Sequence, residues 1–153
     1  EQLNAFNSLE QLMPQDKSAV FILIKTSQQS GHWTAVARNK NNVYYFDSYS
    51  IGIDGELKNI SADLRYELGE SEHLLSKLFK NSQLIVHSNS FHYQSHHEDI
   101  NTCVKWCVIF VKAIFDGLSM KAFKAGILHM KLQYFPDKPY ALDLTADMIY
   151  DKY

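Results

Sequence analysis

Cysteine is nearly absent from this chain, Cys103 and Cys107 being the only two. Four positions apart on one predicted helix face, their Cα atoms would lie near the geometric limit for a disulfide. That disfavours a structural bridge and makes a reducing intracellular compartment the simpler expectation. Blocks of Lys or Arg are missing too. The net charge is −2, which speaks against nucleic acid as the primary partner. Long apolar runs are lacking, since Ala19 to Ile24 is far too short to span a bilayer. No signal peptide, internal repeat, low-complexity tract or linker is visible. A length of 153 residues suits one domain with a real core. Because the chain opens on Glu1 rather than Met, the expectation is a single domain over residues 1–153, excised from a longer (poly)protein.

What is present centres on the stretch from Gln94 to Cys107. A loop rich in hydrogen-bonding side chains stops at Cys103. Val104, Cys107, Val108, Phe110, Val111, Ile114 and Phe115 then follow at the spacing of an amphipathic helix. Asn101 and Thr102 occupy the N-cap region, so Cys103 falls in the first turn. A thiol there faces unpaired backbone N–H groups and the positive end of the helix dipole, both of which favour thiolate.

In chain order, Leu3 to Met13 reads as a short helix closed by Pro14. Ala19 to Ile24 reads as a buried strand. His32 to Arg38 and Val43 to Tyr49 form a predicted hairpin around Asn39–Asn42. If those four residues make the loop, Arg38 faces Val43 and Thr34 faces Asp47. His32 then shares a face with Asp47, one diagonal step away. Ser61 to Lys80 reads as helix broken near Gly69, and Gln83 to Ser88 as a strand. Gly117 ends the Cys103 helix, and Ser119 caps another to about Met130. A short helix from Leu144 to Tyr150 follows Pro136 and Pro139. The fold class is α+β, a small mixed or antiparallel sheet flanked by helices, with a candidate nucleophile at the N-terminus of a central helix.

Histidine, carboxylate and cysteine are the parts of a thiol-nucleophile site. The imidazole takes the thiol proton and the carboxylate orients the ring. Here the candidates are His32, Asp47 and Cys103. Gly31-His32-Trp33, Tyr45-Phe46-Asp47-Ser48-Tyr49, Tyr93-Gln94 and Thr102-Cys103, in that order, resemble the adenoviral maturation protease (adenain) and SUMO-specific protease superfamily, closest to its compact viral members. The resemblance covers about residues 19–116 and implies that family's fold. It further implies His32 as general base, Asp47 as its orienting partner, Cys103 as nucleophile and Gln94 as side-chain donor to the oxyanion hole. Trp33 would be a substrate-binding roof over the groove, or else a core aromatic. Two features depart from the pattern. Val104 stands where relatives usually carry Gly, and the interval from Gln94 to Cys103 is longer than in most of them, with Gln83 as the fallback donor.

The implied activity is a cysteine peptidase acting on polypeptide, first of all on viral polyprotein junctions in the host cell cytoplasm, with no cofactor. The alternative is an isopeptidase that removes ubiquitin or a ubiquitin-like modifier. A remote one is a non-catalytic zinc-binding interaction module built on His92, His96, His97, Cys103 and Cys107. An acetyltransferase would need a basic pocket for a phosphorylated cofactor, and none is visible. The aromatic stripe Tyr44, Tyr45, Phe46 and Tyr49 lacks the interleaved basic residues of a base-stacking surface and reads as core and sheet packing. Cys107, one turn along on the apolar side, reads as a small core residue. Cys103→Ala is expected to abolish peptidase activity while Cys107→Ala leaves most of it; the reverse result in a peptide-cleavage assay would sink the assignment.

Overall fold

A computed structural model describes residues 3–152. Four strands form one sheet in the order β1 (Ser18–Lys25), β2 (Gly31–Asn39), β3 (Asn42–Phe46), β4 (Ile85–Ser88). β1 and β3 pair antiparallel with β2, while β4 runs parallel to β3, so the sheet is mixed and the class is α+β. A parallel neighbour needs a long crossover. Here it carries a 3-10 turn (Gly55–Asn59) and two short helices. After α1 (Leu9–Leu12), these are α2 (Ala62–Leu68) and α3 (Leu74–Lys80). The helices α4 (Cys103–Phe115), α5 (Met120–Tyr134) and α6 (Ala141–Tyr150) complete the chain.

Alternation along the strands gives each sheet face its own apolar layer. Ile22, Ile24, Val36, Val43 and Tyr45 pack with Leu9, Leu75, Leu78 and Phe79 on one side. Ala35, Ala37 and Phe46 pack with Trp106, Phe110, Ile114 and Phe123 on the other. Phe46 lies flat on Phe110, with ring centroids 4.4 Å apart. The apolar face of α4 includes Trp106, fully buried, which the spacing of its aliphatic residues did not single out.

Several expectations are corrected. β1 is an edge strand, not one buried on both faces: Phe21 and Leu23 are exposed while Ile22 and Ile24 are buried. Its continuous hydrophobicity therefore hides a one-sided burial. The Leu3–Met13 helix is broken into a 3-10 turn (Leu3–Ala5) and the single turn of α1. Gln83 lies outside β4. The hairpin has the expected register, Arg38 opposite Val43, but Asn39 and Asn42 also pair, which leaves Lys40 and Asn41 as the loop. Lys40 takes the left-handed conformation there (φ 56°). α5 and α6 are longer than expected. Gly117 (φ 88°) ends α4, and the Ser119 hydroxyl caps α5 by accepting the Ala122 N–H (3.1 Å). Among the described residues no helix is long and apolar enough to cross a membrane.

Removing the Phe46 ring is expected to cost about 3–5 kcal/mol in urea denaturation of Phe46→Ala. Ile85→Thr on the exposed edge of β4 should stay within about 1 kcal/mol. Equal losses would contradict this division of core and edge.

Candidate active site

At the end of the sheet where β2 begins and β3 stops, His32 and Asp47 meet. Gly31 lets β2 start tight against β1, because a Cβ there would fall 2.6 Å from the Ile24 carbonyl oxygen. His32 Nε2 lies 2.8 Å from Asp47 Oδ1, with His32 5% and Asp47 1% exposed. The turn after β3 wraps round the carboxylate. Oδ1 also accepts the Tyr49 N–H (2.9 Å) and Oδ2 the Ile51 N–H (2.7 Å). That turn holds Ser50 left-handed (φ 57°), a conformation that costs a non-glycine residue about 1–2 kcal/mol and is retained here by these bonds. Asn89 clamps the same point: its Oδ1 accepts the Asp47 N–H (2.9 Å), and its Nδ2 donates to the Asp47 carbonyl (2.7 Å).

Cys103, 3% exposed, is the first residue of α4. The His32 ring and the backbone of Trp33 and Val104 act on its sulfur to favour the thiolate. In its thiol form it also points to Asn101 Oδ1 at 3.8 Å. Burial works against charge at all three groups. At His32, burial lowers the proton affinity, but the hydrogen bonds and charges of Asp47 and Cys103 raise it further, to about 9. Burial likewise pushes the Asp47 carboxyl up, and the His32 contact with the two backbone N–H groups brings it below its usual range. Burial also lifts the Cys103 thiol, and the His32 and backbone hydrogen bonds more than offset that, leaving it below the ordinary thiol value. The order Asp47–His32–Cys103 thus favours a thiolate–imidazolium pair. Cys107 behaves oppositely. Fully buried, it is pushed well above the ordinary value, and its thiol donates to the Trp33 carbonyl (3.4 Å).

His32 and Cys103 line an open cleft of about 860 Å³. Leu23, Trp33 and Val104 supply apolar side chains on it, and the loop 26–30 and the segment 94–101 supply polar ones. Gln94 lines it as well but is 2% exposed and tightly held. Ser48 Oγ donates to its Oε1 (2.8 Å), while its Nε2 donates to the Tyr49 hydroxyl (3.0 Å) and the Ile100 carbonyl (3.3 Å). Thr102 stands at the N-cap position without capping the helix. Its hydroxyl instead donates to Asp143 Oδ1 (2.6 Å), whose Oδ2 accepts the Ser95 N–H (3.1 Å). One buried carboxylate from α6 therefore ties both ends of the segment that leads to Cys103.

No family model matches the chain, and no solved structure does. Over 117 residues the chain is 30% identical to uncharacterized protein V9 of Sputnik virophage. That match covers 76% of this chain and 66% of the virophage protein, just under two thirds of its length.

The zinc set is not assembled. His92 and His96 are neighbours (ring centroids 4.9 Å apart), His97 turns to Tyr140, and the two cysteines face His32 and the Trp33 carbonyl. Among the described residues no group of three or more His, Cys, Asp or Glu could hold a metal ion. Sequence reasoning missed Asn89 and Asp143. The first sits in a Ser-Asn-Ser run after a strand, which signals turn chemistry but no partner. The second lies in the first turn of a helix, where a carboxylate is common anyway. Tyr49 was read as packing, whereas it is half-buried on the cleft.

Removing the Asp143 carboxylate strands a backbone N–H and a hydroxyl in the interior. Asp143→Ala should lower stability by about 2–4 kcal/mol, and by clearly less in a Thr102→Val background. Additive losses in that double-mutant cycle would contradict the clasp.

Proposed function

We propose that this chain is a cysteine peptidase of the adenain and SUMO-protease type, hydrolysing peptide bonds at viral polyprotein junctions inside the host cell. The observation that carries the reading is the buried 2.8 Å bond between Asp47 and His32, beside a thiol at the start of a buried helix whose charged form the imidazole favours. The similarity to a virophage protein supports the viral setting.

In this reading the Cys103 thiolate attacks the scissile carbonyl carbon and pushes its π electrons onto oxygen. The N–H groups of Cys103 and Lys105 precede the first intrahelical bond of α4, from Trp106 N–H to the Thr102 carbonyl (2.9 Å). Such free helix-start donors suit an oxyanion. As the C–N bond breaks, imidazolium His32 gives its proton to the leaving amine. A thioester remains on Cys103. Water, losing a proton to the now neutral His32, attacks it and releases the acid, and sulfur leaves as thiolate, which restores the thiolate–imidazolium pair. Asp47 keeps the ring oriented and stabilises its charge throughout. None of these steps requires a cofactor.

The alternative substrate, a ubiquitin-like protein, would thread a tail of small residues through a narrow groove. Here the cleft of about 860 Å³ carries Leu23 and Val104, 39% and 38% exposed, close to the nucleophile. That favours polypeptides with a bulky apolar residue beside the scissile bond.

The pH dependence tests the reading. Value of kcat/KM on such a peptide should rise with pH through a Cys103 midpoint below the ordinary thiol value of about 8.5 and fall again near pH 9, as His32 loses its proton. Iodoacetamide labelling of Cys103, followed by mass, should share the acid limb without the basic fall, because thiolate persists. A single rise near the ordinary thiol value in both assays would rule out the ion pair and the mechanism with it.

A further inference from the structure

The resemblance assigns the oxyanion to Gln94, but the protein already uses that amide in full. The Ile100 carbonyl can only accept, which fixes the nitrogen end of the side chain, and the two amide protons go to Ile100 and Tyr49. Turning either toward substrate would strand a buried partner, at a cost of about 1–3 kcal/mol.

Tyr49 is in the opposite condition. Its hydroxyl oxygen accepts from Gln94, while its own proton has no acceptor among the described residues. The ring stacks with two imidazoles, His32 at 4.5 Å and 29° and His96 at 4.1 Å and 11°. Two stacked neighbours fix the ring plane, and the Gln94 bond fixes the oxygen within it. The ring lines the same cleft as His32 and Cys103.

We propose that the Tyr49 hydroxyl is the side-chain donor to the oxyanion, with Gln94 as the positioning residue that aims and polarises it. The proposal rests on the peptidase reading of Cys103. A relay of donors runs from Ser48 Oγ–H to Gln94 Oε1, from Gln94 Nε2–H to Tyr49 oxygen, and from Tyr49 O–H to the substrate oxygen. A hydroxyl that accepts one hydrogen bond donates a stronger one. As the sulfur–carbon bond forms, the carbonyl π pair moves to oxygen and the Tyr49 proton holds it without being transferred. When that pair returns, the carbon–nitrogen bond breaks and the His32 proton goes to nitrogen. Burial first, then the charge of Cys103, Glu56, Asp143 and Asp47, holds the phenol above its ordinary value, so the proton stays on Tyr49.

Tyr49→Phe keeps the stack and removes only the hydroxyl. It should lower kcat by roughly 10²–10³-fold with little change in KM, and weaken a substrate-like peptide aldehyde, which binds Cys103 as a tetrahedral adduct, by a similar factor. Iodoacetamide labelling of Cys103 builds no oxyanion, so its rate and pH profile should not move. A kcat within about threefold of wild type, on the scale of such donor losses, would overturn the proposal. So would a parallel fall in the labelling rate, which would make Tyr49 a support for His32. If wild type neither turns over peptide nor labels selectively at Cys103, the peptidase reading fails, and this proposal with it.

Discussion

The contact between His32 and Asp47 is the constraint from which the rest of this end of the molecule follows. An ionised carboxylate in the interior is costly unless its oxygens are fully engaged. Asp47 meets that demand with the imidazole and two backbone N–H groups. The demand in turn dictates the tight turn to Ile51, with Ser50 left-handed, and the clamp from Asn89. With the carboxylate fixed, the imidazole has one ring nitrogen committed to it.

A second network holds the opposite wall of the cleft. Asp143 joins Ser95 to Thr102, and Gln94 joins Ser48 and Tyr49 to Ile100. Polar networks of this kind are worth most when every member is satisfied. Gln94 is buried with both amide ends engaged, so it behaves as part of the frame. Tyr49, held by that frame, lines the cleft. α6 thus does more than cover the apolar layer beneath α4: through Asp143 it ties down the segment that leads to Cys103.

How much of this was legible in the sequence varies with the range of the interaction. The start of α4 at Cys103 and its end near Gly117 were readable, because helix periodicity and a left-handed C-terminal glycine are local signals. The hairpin register was readable too, since the pairing of Arg38 with Val43 follows from the turn between them. The one-sided burial of β1 was not. Nothing in Ala19–Ile24 says that it lies at the edge of the sheet, which depends on which strand stops the sheet from growing. Thr102 looked like a helix cap, and local chemistry allows that. Its hydroxyl went to a carboxylate 41 positions away instead.

By itself the sequence determined the class of elements, the placing of a cysteine at a helix start, and a histidine and an aspartate on one face of a hairpin. These are matters of nearest neighbours and of strand and helix period. Only the tertiary structure decided that Asp47 holds the His32 ring, that Gln94 is fully engaged, and that Tyr49 stacks on two imidazoles. Each of these depends on a distance between residues far apart in the chain, and such distances are set by how α4 and α6 pack against the sheet.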